Sequence, residues 1–158
     1  MSISPFDSAL YRDLFTDTDI LRLFTDSAEI RAMMLVEGAL AKAQGALGLI
    51  PQDSAEAIHR AAMEVQIDPS GLAAATGQNG VPVPALVAAF RAAMDAPEHA
   101  QYLHWGATSQ DIIDTGLALR LRQALSLMET TQTRLLDVLA TMAETHADTP
   151  ITARTYGQ

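Results

Sequence analysis

His104-Trp105-Gly106-Ala107-Thr108-Ser109-Gln110-Asp111-Ile112-Ile113-Asp114-Thr115 marks the place where a loop turns into a helix. Thr108 and Ser109 are favoured N-cap residues, and Thr108 with Asp111 three positions on fits the capping-box pattern in its Asp form. Downstream, residues 111–146 contain no proline and only Gly116, while Leu117, Leu121, Ala124, Met128, Leu135, Leu139 and Met142 keep a heptad-like spacing. The pattern predicts one long helix. Thirty-odd residues at 1.5 Å each span roughly 55 Å, whereas a compact chain of this length has a radius of gyration of about 15 Å and a diameter on the order of 40 Å. Such a helix overshoots its own globule, so its apolar stripe calls for partner helices from elsewhere.

Working toward the N-terminus, residues 27–48 read as an amphipathic helix, with Ile30, Met33, Met34, Glu37, Leu40, Ala41, Gln44 and Leu47 at steps of three and four and Gly48 and Pro51 as stops. Residues 53–64 repeat the theme from an Asp53 or Ser54 cap, with His59 on the solvent side. Residues 68–71 signal a turn, 72–76 a short helix ended by Gly77, and 84–94 another helix; 97–101 read as polar loop, and Tyr102-Leu103 as extended. Alternating strand patterns are missing. The expected architecture is all-α, with an N-terminal helical domain over residues 1–103 and the opening of a helix bundle over 104–158.

Composition narrows the function. Ten Lys plus Arg against nineteen Asp plus Glu give a formal charge of −9 with no basic run, which argues against nucleic acid as a partner. The absence of cysteine excludes disulfides and thiol chemistry, and the four histidines show no metal-ligand spacing, so no metal is expected. The first residues lack a positive segment followed by an apolar one, and no run of about 18 apolar residues occurs, so neither a signal peptide nor a membrane span is expected and the cytoplasm is the default location.

A helix start with two hydroxyls offers backbone N–H groups, a positive dipole end and side-chain donors to a carboxylate. A plain capped helix is the alternative. His104 is either a core histidine satisfied by backbone or a contact to an anionic ligand, and Arg154 either half of a structural ion pair or a bidentate carboxylate partner. His99 lies in a loop with no recognisable partner, His146 sits near a helix C-terminus where partial positive charge is mildly stabilising, and Asn79 reads as a turn residue.

The string from His104 to Thr115 resembles the first signature region of the fumarase/aspartase superfamily, in the form His-X-Gly-X-Thr-Ser-X-Asp-X-X-Asp-Thr of its adenylosuccinate lyase branch. Ala153-Arg154-Thr155-Tyr156-Gly157-Gln158 resembles the Arg-Thr-His-Gly-Gln of the second region, with Tyr156 where the lyases carry histidine. Leu23-Phe24-Thr25-Asp26, Val36-Glu37-Gly38-Ala39-Leu40-Ala41-Lys42-Ala43-Gln44 and Leu47-Gly48-Leu49-Ile50-Pro51 resemble the superfamily's bacterial 3-carboxy-cis,cis-muconate cycloisomerase branch.

The resemblance implies cofactor-free anti addition or elimination beside a carboxylate, through an enediolate-like carbanion held by fixed donors. It casts His104, Ser109 and Tyr156 as catalytic and Thr108, Ser109, Gln110, Arg154 and Gln158 as binding a small polycarboxylate, with Asp111 serving the helix start and Asp114 and Thr115 bracing the loop. A lyase uses the histidine to protonate its leaving group, whereas a ring-closing enzyme has no leaving group to protonate and tolerates a neutral phenol there. The branch resemblance therefore implies lactonisation of 3-carboxy-cis,cis-muconate in aromatic degradation. Adenylosuccinate lyase is the second reading, although Leu14-Phe15 stand about where that enzyme's phosphate-binding Arg-Tyr pair falls. A non-catalytic helical assembly module is the third. The resemblance further implies a homotetramer with active sites shared between subunits. The superfamily's third region, a mobile serine loop, has no counterpart here, so a missing C-terminal part and an inert 158-residue chain are expected.

Overall fold

Thr25 opens the helix that organises the first half of the chain. In the computed structural model, which describes residues 4–154, 156 and 157, its hydroxyl accepts the Ala28 N–H at 3.2 Å, and Asp26 and Glu29 lie in the first turn where carboxylates suit the dipole. The short α1 (Arg12–Phe15) and α2 (Thr18–Leu21) precede it, and α3 itself runs Asp26–Ala46. It buries Ile30, Met33, Met34, Glu37 and Ala41, the expected stripe, while Leu47 falls past its end and is exposed.

The next helix, α4 (Gln52–Glu64), is capped by Pro51 with no side-chain hydrogen bond, two or three residues earlier than the Asp53 or Ser54 cap expected. Ser54 faces inward instead. Gly38 and Gly45 of α3 bring the two helices together: a methyl built on Gly38 would lie 2.7 Å from the Ala62 Cβ, and one on Gly45 would overlap Ala55. Arg31 donates to the carbonyls of Ala62 and Met63, satisfying the open end of α4.

Asp68 accepts the Ser70 N–H at 3.0 Å and starts a 3₁₀ turn, Pro69–Leu72, that feeds α5 (Ala73–Asn79). The expected stop at Gly77 is corrected here. The helix ends at Gly80, whose φ of 74° supplies the left-handed stop. Next, α6 (Val83–Met94) buries Val83, Leu86, Val87 and Phe90 at helical spacing. Residues 97–101, expected as loop, contain α7 (Pro97–Ala100), because proline at a helix's first position and Glu98 behind it are start signals too short to produce periodicity. Tyr102 and Leu103 turn rather than extend: their N–H groups meet the carbonyls of His99 and Ala100, each at 3.1 Å, and Leu103 is buried.

The last helix, α8, runs Ser109–Thr145. Contacts divide the chain after Ala124. Up to that residue α8 buries Ile112, Gly116, Arg120 and Ala124 in strict four-residue steps. A methyl on Gly116 would already touch Met33 at 3.4 Å, and Arg120 reaches Glu29 at 3.5 Å with its guanidinium 5.7 Å from the Phe24 ring centre. The second unit begins at Leu125 and holds the rest of α8 and a non-helical tail. The fold is all-α: no strand occurs among the described residues, and none of their helices is long and apolar enough to cross a membrane.

Candidate active site

The loop before α8 is held residue by residue from below. Arg91 of α6 donates to the Leu103 carbonyl at 2.8 Å, Glu37 of α3 meets His104 Nδ1 at 2.6 Å, and Gln44 of α3 donates to the Trp105 carbonyl at 2.7 Å. These three contacts bind a strained backbone. His104 has φ 62° and Gly106 φ 68°; the left-handed region suits glycine but costs a histidine of order 1–3 kcal/mol unless its surroundings enforce it. Glu37 and Gln44 lie two helical turns apart and so share a face of α3.

Glu37 is 1% exposed, and its Oε2 is buried without a partner. Burial pushes its carboxyl above the ordinary value, while the His104 hydrogen bond and charge and the Arg91 charge pull the other way. His104 itself is half-buried, and its Nε2 has no hydrogen bond among the described residues.

At the helix start the expected capping box forms only in half. Asp111 accepts the Thr108 N–H at 2.9 Å, as a capping box requires, but the Asp111 N–H goes to the Thr108 carbonyl at 3.1 Å and not to its hydroxyl. The Thr108 and Ser109 hydroxyls therefore have no partner among the described residues. Gln110 donates its amide to Asp114, which ties Asp114 to the first turns of α8 and not to the loop it was expected to brace. Trp105 is half out in solvent with its ring 5.8 Å from that of Tyr102.

Thus His104, Thr108, Ser109 and Gln110 stand together along one loop-to-helix junction. Arg154 and Tyr156 belong to the second unit; both are exposed, and Arg154 makes no ion pair among the described residues. Gln158 lies outside the described residues. Three partners of the junction escaped the sequence reading: Glu37, Gln44 and Arg91. The signal for the first was a carboxylate in the middle of an apolar stripe, which needs a buried partner.

Two further histidines are corrected. His99 is not partnerless, since its Nδ1 lies 3.0 Å from the hydroxyl of Ser54, which sits inside the first turn of α4 and not at its cap. His59 does not face solvent: it is half-buried with its Nδ1 enclosed and unbonded. Asn79 is the exposed last residue of α5, and His146 Nδ1 stands 3.4 Å from the Thr149 hydroxyl just past α8.

A buried carboxylate thus lies under the imidazole, ahead of a helix start whose two hydroxyls are idle. The lyase family profile matches residues 8–158. The chain belongs to the fumarase/aspartase lyase family. Over 151 residues it is 40% identical to the 3-carboxy-cis,cis-muconate cycloisomerase of Pseudomonas putida, covering 94% of this chain and 36% of that protein. The crystal structure of the 3-carboxy-cis,cis-muconate lactonizing enzyme from the same organism superposes with a TM-score of 0.88 at 38% identity, over 96% of this chain and 35% of that one. The adenylosuccinate lyase of Methanocaldococcus jannaschii is 32% identical, covering 100% of this chain and 33% of that protein. The chain spans about a third of the length of these lyase-family relatives.

Proposed function

We propose that the protein to which this chain belongs is a cycloisomerase that lactonises 3-carboxy-cis,cis-muconate to 4-carboxymuconolactone without a cofactor. The observation that carries the reading is the set of uncommitted donors at the junction: the Thr108 and Ser109 hydroxyls, unused in capping, beside the free Nε2 face of His104. A helix start whose cap is completed by Asp111 and backbone alone has hydroxyls to spare for a carboxylate. In this reading the substrate's carboxylate adds to its own double bond, negative charge gathers on the neighbouring carboxylate where Thr108 and Ser109 donate to it as it grows, and the adjacent carbon then takes up a proton that the Nε2 face of His104 helps to place. Gln110, Arg154 and Gln158 complete the binding set. Tyr156 supplies a neutral phenol where a lyase needs an acid for its leaving group.

The greater identity to the cycloisomerase than to the adenylosuccinate lyase supports this reading over amine elimination. The apolar side chains exposed along α8 after Ala124, among them Leu135, Leu139 and Met142, support a homotetramer whose subunits bury them and share active sites. The reading also places the domain boundary near residue 103, the protein in the cytoplasm, and no turnover in these 158 residues alone.

The test is the rate of lactone formation from 3-carboxy-cis,cis-muconate by the whole protein, beside fumarate release from adenylosuccinate. Ser109→Ala is expected to lower lactonisation about a hundredfold or more, the usual consequence of removing one oxyanion donor. Lactonisation at the normal rate by Ser109→Ala would reduce the junction to a helix cap, and fumarate release in place of lactone would favour the lyase reading.

A further inference from the structure

We propose that Glu37 is the positioning residue of His104: by occupying Nδ1 it fixes the ring's orientation and proton, leaving Nε2 as the one nitrogen that can meet a ligand. The inference rests on the proposed role of His104 at the substrate site, but the geometry that carries it is independent of any substrate. Glu37 sits in the middle of α3 among Met33, Met34 and Ala41, a place where an unpaired carboxylate is unfavourable. Its side-chain partner is His104 Nδ1 at 2.6 Å, reached across 67 residues of sequence, and the His104 backbone also acts on the same carboxyl. Its other oxygen is buried and unbonded, so no second side chain among the described residues competes for the carboxylate and turns the ring. The charged group besides His104 that acts on Glu37 is Arg91 of α6, whose guanidinium is itself tied to the Leu103 carbonyl.

The backbone around the pair is built for the same end. His104 takes a left-handed φ of 62°, and the carbonyls on either side of it, those of Leu103 and Trp105, are pinned by Arg91 and Gln44. A ring on a backbone held at both neighbours retains freedom only about its own side-chain torsions. Glu37 removes that freedom. An ionised Glu37 accepts the Nδ1–H, and the lone pair then lies on Nε2; which nitrogen carries the proton follows from the bond the other makes.

Two measurements test this, one without substrate. In the folded protein, two-bond ¹H–¹⁵N correlation spectra assigned through His104→Gln are expected to show His104 as the Nδ1–H tautomer at neutral pH. Glu37→Gln, nearly isosteric, is expected to shift it toward a mixture or toward Nε2–H. A wild-type ring already in the Nε2–H form, or a tautomer indifferent to Glu37→Gln, overturns the proposal whatever reaction the protein performs.

The second measurement is a double-mutant cycle on lactonisation by the whole protein. Glu37→Gln alone is expected to lower kcat/KM about 10–100-fold, the range seen when a group orienting a functional histidine is lost. In a His104→Gln background the same change is expected to cost nothing further, because Glu37 acts only through the ring. Equal losses in both backgrounds, as a purely structural Glu37 would give, overturn the positioning role. If the tautomer responds but single variants at Glu37 and His104 leave lactonisation untouched, the positioning stands and the proposed function of the junction fails instead.

Discussion

The two parts of α8 meet different fates, although Leu117 and Leu121 of the apolar stripe are exposed even in the first. Before Ala124, each fourth residue is covered: Ile112 by the core, Gly116 against Met33, and Arg120 with Glu29 and Phe24. From Leu125 onward, Leu125, Met128, Leu135, Leu136, Val138, Leu139 and Met142 are exposed, although they recur at spacings that define a stripe just as well. A sequence pattern therefore specifies a face and leaves the partner open. The first region finds its partners within residues 4–124. Small residues make that possible: glycines at positions 38, 45 and 116 let neighbours approach to the distance of a missing methyl. The second region has no glycine within its helix and closes its polar account internally, with the hydroxyls of Thr130, Thr131, Thr133, Thr141 and Thr145 each donating to the carbonyl four residues back.

The largest contrast comes from adding a single carbon to the packed region. Gly38→Ala would put a Cβ 2.7 Å from the Ala62 Cβ, a methyl with no torsion to swing it away, and 3.5 Å from the His59 Cα of the same helix. Alanine is the better helix former by about 1 kcal/mol, yet overpacking of this kind costs about 1–3 kcal/mol. The overlap is the larger effect at the upper end of that range, and destabilisation is expected in urea unfolding, with Ala62→Gly restoring part of it. A Gly38→Ala chain more stable than the parent would mean that the two helices are not in contact there.

How far the sequence could be read follows the same divide. The long helices, the all-α class and the start of α8 were legible because apolar periodicity and cap chemistry are local. The four-residue α7 was not, since so short an element has no period, and the Gly77 stop failed because φ, not residue type alone, ends a helix. At the candidate site, His104, Thr108 and Ser109 announced themselves through one contiguous motif. Glu37, Gln44 and Arg91 lie 67, 61 and 12 residues from the atoms they hold, and no local pattern connects partners that only the fold brings together. Ser54 and His99 escaped for the same reason.

A subtler probe of the packed region is its buried carboxyl. Burial raises Glu37 above its ordinary value of 4.5, so the folded state keeps this proton at a pH where the unfolded chain has released it. The group's contribution to stability is present in full below the unfolded value and is lost as pH rises through the raised folded value. Glu37→Gln, which cannot ionise, is expected to remove that fall, so the difference in unfolding free energy between variant and parent should change across the acid range in favour of the variant as pH rises. A difference that is flat from pH 4 to 7 would show that Glu37 ionises alike folded and unfolded.

The smallest expected effect lies in the bare region, and it is the sharpest test of the contrast. Leu136 is 65% exposed, and its replacement by alanine removes three carbons, against the one that Gly38→Ala adds. A leucine in a packed core loses about 2–5 kcal/mol on truncation to alanine. On an open helix face there is no cavity to leave behind, and alanine is at least as good a helix former as leucine. Leu136→Ala in the 158-residue chain is therefore expected to change stability by less than about 0.5 kcal/mol, a shift in Tm of roughly 1–2 °C at this size. Calorimetry at two protein concentrations decides the matter. A loss of about 2 kcal/mol or more, or a Tm that climbs with concentration, would mean that this stripe has found a partner in solution, and the two regions would then differ only in where their partners come from.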